Sequence, residues 1–514
     1  IPKAEQLIAA LNEAGVDIIE LGYKSPVNTQ KYFGLFKNCN EDYLQFLSRK
    51  DSADYAFMID VKDFITDGQL NYAELDKEIK LAKDSIFSWV RLASHYATIG
   101  FIGDFVKLFR EKGYQVGFNL MGGSLLSDDQ ILDGLNVAKK AQVEVFYIAD
   151  SFGSFYPDDI RRIIRFIKSH YSGVIGIHTH DNQGMAYANT LAAIEEGVVF
   201  IDGTVTGMGR GAGNLHTEQF LLGQSIRNKG EKYDSTSLLN VIENYIHPLK
   251  TYHNWGYNTS FMYSGLLNIH PTYGQELSSL GRFTSSEITS ILAEIPANSR
   301  KKYDDQMLDA VIRQKFSAKS KSEYNVREFN LEELQSDSFI ILAKGPEAKA
   351  HIPSIKRLSE KLNALVLECN YTGYLEDEFP RTTVILNQLK LREWIEVGSK
   401  SSAVKVVSGS QLEDQEVRNM HQFPVDLGDF FAEKGSIQIP DYDAGYYAIA
   451  LAIAAGARKV YLAGFDGFAE SELNTRGQVY LKSIKTYAET KGIGIAHITR
   501  SNYQVFDQQS LYTL

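Results

Sequence analysis

Short β-branched or aromatic runs alternate with amphipathic segments through the first half of the chain, and few folds accept that pattern. The runs are "VDIIELGY", "YAFMIDV", "SWVRLAS", "YQVGFNLM", "VEVFYIAD", "VIGIHTH" and "VFIDGTVTG". Between them lie segments such as "SDDQILDGLNVAKKA", which opens on a Ser cap, and "PDDIRRIIRFIKSHY", which has Pro in its first turn. Strands joined by helix-length crossovers pair in parallel. Seven such strands can form an open doubly wound sheet, whereas a (β/α)8 barrel needs eight. The first segment, "PKAEQLIAALNEAG", is a helix with no strand ahead of it, so one strand upstream of Ile1 would close the count. The expected fold is α/β: a (β/α)8 TIM barrel over residues 1–280 that lacks its first strand in this chain, with the natural protein extending upstream.

Composition narrows the class. With 514 residues the chain exceeds one ordinary core, and 44% hydrophobic with 23% charged residues is a globular balance. A net charge of −11 argues against a broad nucleic-acid surface. Two cysteines, Cys39 and Cys369, form no CxxC, which fits a reducing compartment and excludes a cysteine-rich zinc module. The longest apolar run, "YYAIALAIAAGA", falls short of the roughly 20 residues that span a bilayer. A cytoplasmic homo-oligomer is expected.

In a barrel the carboxyl ends of the strands converge on one mouth. The polar residues at those ends are Glu20, Asp60, Arg91, Asn119, Asp150, His178, His180 and Thr204. His178 and His180 stand two apart on one strand, so both rings face the same way. Two imidazoles so placed can share a divalent cation; the alternative is two polar strand-end residues, each with its own partner. After the last strand comes "GMGRGAGN", residues 207–214. A dinucleotide-binding glycine loop follows the first strand of its unit, and this one closes a series of repeats. Its glycines allow close backbone approach to a ligand, Arg210 offers a charge partner for an anion, and Asn214 offers a neutral oxygen acceptable to Mg²⁺ or Mn²⁺.

The stretch "GIHTHDNQGMAYANTLAAIEEGVVFIDGTVTGMGRGAGN", with "IIELGY", "NLMGGS" and "IADSFGSFYPDDI", resembles the metal-dependent pyruvate aldolase/lyase superfamily of TIM barrels. That superfamily includes 4-hydroxy-2-oxovalerate aldolase and 3-hydroxy-3-methylglutaryl-CoA lyase. The resemblance implies that His178 and His180 are metal ligands with Asn214 a further one. It implies that Glu20 and Asp150 are acidic positions at the mouth that order the substrate and metal-bound water. From their places at the strand ends and in the glycine loop, Asn119, Thr204 and Arg210 are expected to bind substrate. The family's first-strand Asp-x-Thr-Leu-Arg-Asp motif is absent, and Met208 and Arg210 stand where the lyase carries its cysteine, which favours the aldolase branch. The implied chemistry is metal-dependent aldol cleavage or formation through a pyruvate-type enolate, with a keto acid and an aldehyde as partners. For the hydroxyl proton, "SGLLNIHPTY" offers His270 and Tyr273, or else a packing motif. A Claisen-type acyl-CoA synthase and a catalytically inactive scaffold are the rival readings.

Residues 281–337 read as charged helices and a linker, and residues 338–514 as a second α/β domain of Rossmann-like type with six strands. This half resembles bacterial sialyltransferase-like and methylpterin-diphosphokinase-like domains. Their Gly-x-Gly-Pro-Ser motif reads Ala343-Lys344-Gly345-Pro346-Glu347 here. The expected ligand cleft, for a nucleotide or nucleotide sugar, comprises Gly345, Pro346, Gly409, Gly464 and Asp466. A docking domain without catalysis is the alternative. The fusion suggests synthesis of a surface-polysaccharide sugar.

Overall fold

The computed structural model describes residues 2–26, 34–44, 46–47, 52–227, 233–253, 255–279, 283–316, 329–370, 375, 380–386, 390, 394, 405–408, 420–423, 425–441, 443–467 and 472–514. The chain divides into two compact units, Ile1–Asp304 and Asp305–Leu514. Among the described residues no helix is long and apolar enough to cross a membrane.

The first unit opens with helix α1 (Pro2–Glu13) and is built on seven strands: β1 (Ile18–Tyr23), β2 (Asp54–Asp60), β3 (Trp89–Ser94), β4 (Gln115–Leu120), β5 (Val145–Asp150), β6 (Ile175–Thr179) and β7 (Phe200–Ile201). They pair in chain order, and every pairing is parallel. The sheet is a barrel wall opened between β7 and β1, as the seven-strand count anticipates. Its crossover helices are punctuated as the sequence suggests. Ser127 and Gln130 form a reciprocal capping box on α2 (Asp128–Ala141), and Pro157 occupies the first turn of α3 (Pro157–His170). The α3 residues Ile160, Ile163, Ile164 and Ile167 are buried at helical spacing, and they join Phe118, Phe146 and Ile148 of the sheet in one apolar core.

One predicted strand is shorter than its sequence run. "VFIDGTVTG" is strand only at Phe200–Ile201, after which Val205–Gly207 makes a tight helical turn with Thr206 at φ 54°. The chain turns there because the glycine loop folds back on it: the Thr204 N–H donates to the Leu215 carbonyl at 2.9 Å.

Among the described residues, the main sheet of the second unit has eight parallel strands: β8 (Ser338–Leu342), β9 (Leu365–Cys369), β10 (Thr382–Ile385), β11 (Lys405–Ser408), β12 (Met420–Gln422), β13 (Lys459–Ala463), β14 (Gly494–His497) and β15 (Asp507–Gln508). Their order is β12-β11-β10-β9-β8-β13-β14-β15, so the direction of winding reverses between β8 and β13. Alternate residues of β8 enter two cores. Phe339 and Ile341 meet α4 (Ala444–Ala454), buried at every residue but Tyr446, while Ile340 and Leu342 meet Ile355 and Leu358 of the helix Ile352–Leu362. The sheet is therefore doubly wound. In this sheet β12 and β15 exceed the six strands read from sequence, because "MHQ" and "DQ" are too short and polar to register as strands, and a small three-stranded sheet of Asp426–Leu427, Phe431–Glu433 and Ser436–Ile439 adds to them.

Glu368 and Arg381 form a buried ion pair inside this second unit. Glu368 on β9 accepts from Arg381 Nε at 2.9 Å and from the Thr383 hydroxyl at 2.9 Å, with both charged side chains essentially inaccessible. Removing one partner strands a buried charge. Arg381→Ala is expected to cost about 3–5 kcal/mol, whereas Glu368→Gln with Arg381→Met recovers most of that loss. Urea unfolding read by hydrogen exchange at β8–β10 measures both; a cost under about 1 kcal/mol for Arg381→Ala would show that the pair does not hold the sheet.

Candidate active site

A cavity of about 1800 Å³ opens inside the sheet of the first unit. Strand register decides which side chains reach it. Arg91 pairs with Gly117, Ala93 with Asn119, Asn119 with Tyr147, and Ala149 with His178, and all of these line the cavity. Neighbours in register share a face, so these positions form the inward set. Glu20, Thr204, Arg210, His180 and Asn214 line the same space.

The two imidazoles meet nearly edge to face, ring centroids 5.1 Å apart and planes at 79°. Residue 180 pairs across an isolated antiparallel bridge with Asn214, which brings the end of the glycine loop against the end of β6. Asn214 spends its amide N–H groups on the Thr204 hydroxyl and the Met208 carbonyl, both at 3.4 Å. Its Oδ1 is buried without a partner, as are His180 Nδ1 and Asn119 Oδ1. A buried polar atom left unmatched costs about 1–3 kcal/mol. Three such atoms lie around one cavity.

Electrostatics keep both rings neutral. Burial holds His178 well below the ordinary imidazole range, and the neighbouring His180, Arg91 and Arg210 push the same way. Burial and then Arg210 take His180 down to about 3, against the opposing pull of the Gly213 carbonyl. His270 lines the cavity 3.4 Å from an Arg210 guanidinium nitrogen and is held down to about 4, chiefly by burial.

Two expected site residues lie elsewhere. Asp150 is the register neighbour of Thr179, and its alternation turns it away from the cavity. Its carboxylate accepts from the N–H groups of Ser154 at 2.9 Å and Phe155 at 3.2 Å, and burial raises its pKa to about 7. It ties down the loop after β5. Tyr273 is fully buried; its hydroxyl donates toward the carbonyls of Ser299 and Lys302 and accepts from the Asp304 N–H. Sequence reasoning in turn passed over Asp202 and His95, which both line the cavity. Asp202 sits within a run read as continuous strand, and His95 immediately follows one, so parity beyond the strand end was the available signal.

In the second unit, the expected cleft residues Gly345, Pro346, Gly464 and Asp466 gather at the carboxyl ends of β8 and β13, where the winding reverses. Gly345 passes so close to Asp466 that a Cβ there would lie 2.4 Å from its carboxyl carbon. One carboxylate oxygen of Asp466 accepts from the Glu347 N–H at 3.0 Å, and the other is buried without a partner. Gly409 lies outside the described residues.

With this geometry established, comparisons place the first unit. Residues 1–244 match the HMGL-like family model. A 4-hydroxy-2-oxovalerate aldolase from Carboxydothermus hydrogenoformans is 30% identical over 217 residues, which is 41% of this chain and 61% of that protein. An oxaloacetate decarboxylase from Mycobacterium tuberculosis is 26% identical over 218 residues, 41% of this chain and 60% of that protein. A solved N-terminal domain from Bacteroides vulgatus, assigned to an aldolase, is 28% identical, covers 54% of this chain and 90% of its own, and has a TM-score of 0.47. The chain spans about three-fifths of the length of these curated relatives.

Gly213 sets the position of Asn214. It adopts φ +84°, and a Cβ there would stand 1.8 Å from the Gly207 carbonyl oxygen. Gly68, at φ +74°, has open space around it. Gly68→Ala is therefore expected to cost only the backbone penalty, about 1–2 kcal/mol, and Gly213→Ala clearly more. Thermal unfolding of the two variants compares them, and equal losses would mean that the loop absorbs the clash.

Proposed function

We propose that the first unit is a divalent-metal-dependent aldolase that makes or breaks a carbon–carbon bond through a pyruvate-type enolate. The observation that carries this reading is the meeting of His178, His180 and Asn214 at one cavity wall with unmatched buried atoms. Among the described residues, no three His, Cys, Asp or Glu side chains are grouped to hold an ion. The donor set is two neutral imidazoles and an amide oxygen, which fits a divalent cation, and the neutral oxygen is acceptable to Mg²⁺ or Mn²⁺. A bound cation would supply Lewis acidity toward the keto acid's carbonyl. The chain's own groups do the rest. Arg210 offers its guanidinium to a carboxylate, and Asn119 and Thr204 present polar groups to the substrate from the same wall. His270, neutral and beside Arg210, can accept the aldol hydroxyl proton. The similarity to 4-hydroxy-2-oxovalerate aldolases supports this branch of chemistry.

His178→Ala and His180→Ala are each expected to abolish stoichiometric Mn²⁺ binding and aldol turnover while leaving the far-ultraviolet dichroism unchanged. Elemental analysis of the purified variants decides the matter: full metal occupancy in either one removes that residue from the site.

For the second unit we propose a nucleotide or nucleotide-sugar site where the winding reverses, as in other doubly wound sheets. The buried, unmatched carboxylate oxygen of Asp466 beside the close-packed Gly345 and Gly464 supports it. Such a pairing suits synthesis of a surface-polysaccharide sugar. A nucleoside diphosphate or its sugar at a hundred times Kd should stabilise this unit by about 2.7 kcal/mol. The rise in melting temperature of the full chain should vanish in Asp466→Ala. No shift with any nucleotide at millimolar concentration would leave the unit a docking domain.

A further inference from the structure

Four charged or polar side chains run in an unbroken line through the first unit. Arg91 projects inward from β3, with Nε 2.8 Å from Glu20 Oε2 and Nη2 3.0 Å from Glu20 Oε1. Its other terminal nitrogen, Nη1, pairs with Asp202 Oδ2. That same oxygen lies 3.0 Å from His178 Nδ1. The guanidinium rests over the Tyr147 ring, 5.2 Å from its centroid. Glu20 belongs to β1 and Asp202 directly follows β7, so Arg91 holds an acid from each of the two edge strands.

We propose that Asp202, anchored by Arg91, is the positioning residue for His178, fixing the imidazole as its Nδ1–H tautomer with the Nε2 lone pair turned to the cavity. A carboxylate paired with a guanidinium can only accept, so the ring nitrogen facing it must be the one that bears hydrogen. The second nitrogen is then left with its lone pair in a fixed direction. His180 has no such partner at Nδ1. The two rings are therefore unequal: only His178 is oriented by a carboxylate. Relative to the metal-site reading, on which it rests, this inference adds what sets the geometry of the first ligand. It also couples that ligand to both sheet edges through one guanidinium.

Metal-free full-length protein, labelled with ¹⁵N at histidine, tests this directly. Long-range ¹H–¹⁵N correlation is expected to show His178 protonated at Nδ1 alone. Asp202→Ala should release the ring into a mixture of tautomers, while Asp202→Asn, which keeps an oxygen acceptor, should retain the Nδ1–H form. Mn²⁺ titration of the same samples should show affinity falling roughly 10–100-fold in Asp202→Ala, the range for loss of an orienting partner. A wild-type His178 protonated at Nε2, or an Asp202→Ala variant with unchanged tautomer, overturns the proposal even if the alanine variant cannot be purified folded, because the wild-type spectrum alone can refute it. Wild-type protein that binds no Mn²⁺ but shows the Asp202-dependent tautomer would instead refute the metal reading and leave the positioning role standing.

Discussion

A parallel sheet brings every strand's carboxyl end to one side, and its two-residue alternation then decides which of those end residues face the same space. The site in the first unit depends on that constraint. Asn119, Tyr147, Ala149 and His178 come from three successive strands, and only their shared register makes them neighbours. A one-residue slip in β6 would send His178 and His180 to the helix layer and bring Thr179 inward. The apolar packing of α3 against the sheet is thus what holds the register, and through it the chemistry.

The same parity explains which expectations held. The strands were legible because β-branched and aromatic runs are hard to place anywhere but in a buried parallel sheet. His178 and His180 were legible because two residues apart on a strand means one face, whatever the register. Asp150 was a different problem. It ends its strand, whereas Asn119 is the last residue but one of its own, and register puts Asp150 beside Thr179 and turns it toward the loop, where two N–H groups claim it. A sequence shows that a carboxylate stands at a strand end; it does not show which donors lie within reach. Tyr273 failed for the same reason, its hydroxyl taken by three backbone groups from a segment about thirty residues on.

Asp202 illustrates the converse. Within "VFIDGTVTG" it looks like one more position in a strand, yet the strand stops at Ile201 because the glycine loop folds back and takes the Thr204 N–H. Parity with Phe200, the register neighbour of Gly176, already turns Asp202 to the face of His178, and the tertiary pairing of that loop, invisible locally, only ends the strand ahead of it. In the second unit the analogous loss was of short strands. Three residues, "MHQ", and two, "DQ", acquire their ladder only because longer strands already stand beside them.

What the glycine loop contributes is best seen in the distances it enforces. Gly213 lies against the Gly207 carbonyl so closely that only hydrogen fits, and the next residue, Asn214, is thereby pressed against residue 180. The loop leaves Asn214 Oδ1 and His180 Nδ1 unmatched in a buried place. A sequence selected for stability alone would satisfy or remove such atoms, since each costs about as much as an ordinary hydrogen bond returns or more. They sit together beside Gly213, where a Cβ would meet the Gly207 carbonyl oxygen at 1.8 Å, so the backbone geometry that leaves them unmatched is tightly set. The buried ion pair of Glu368 and Arg381 makes the contrast, for there every charge is met from within the chain and nothing is left over for a partner.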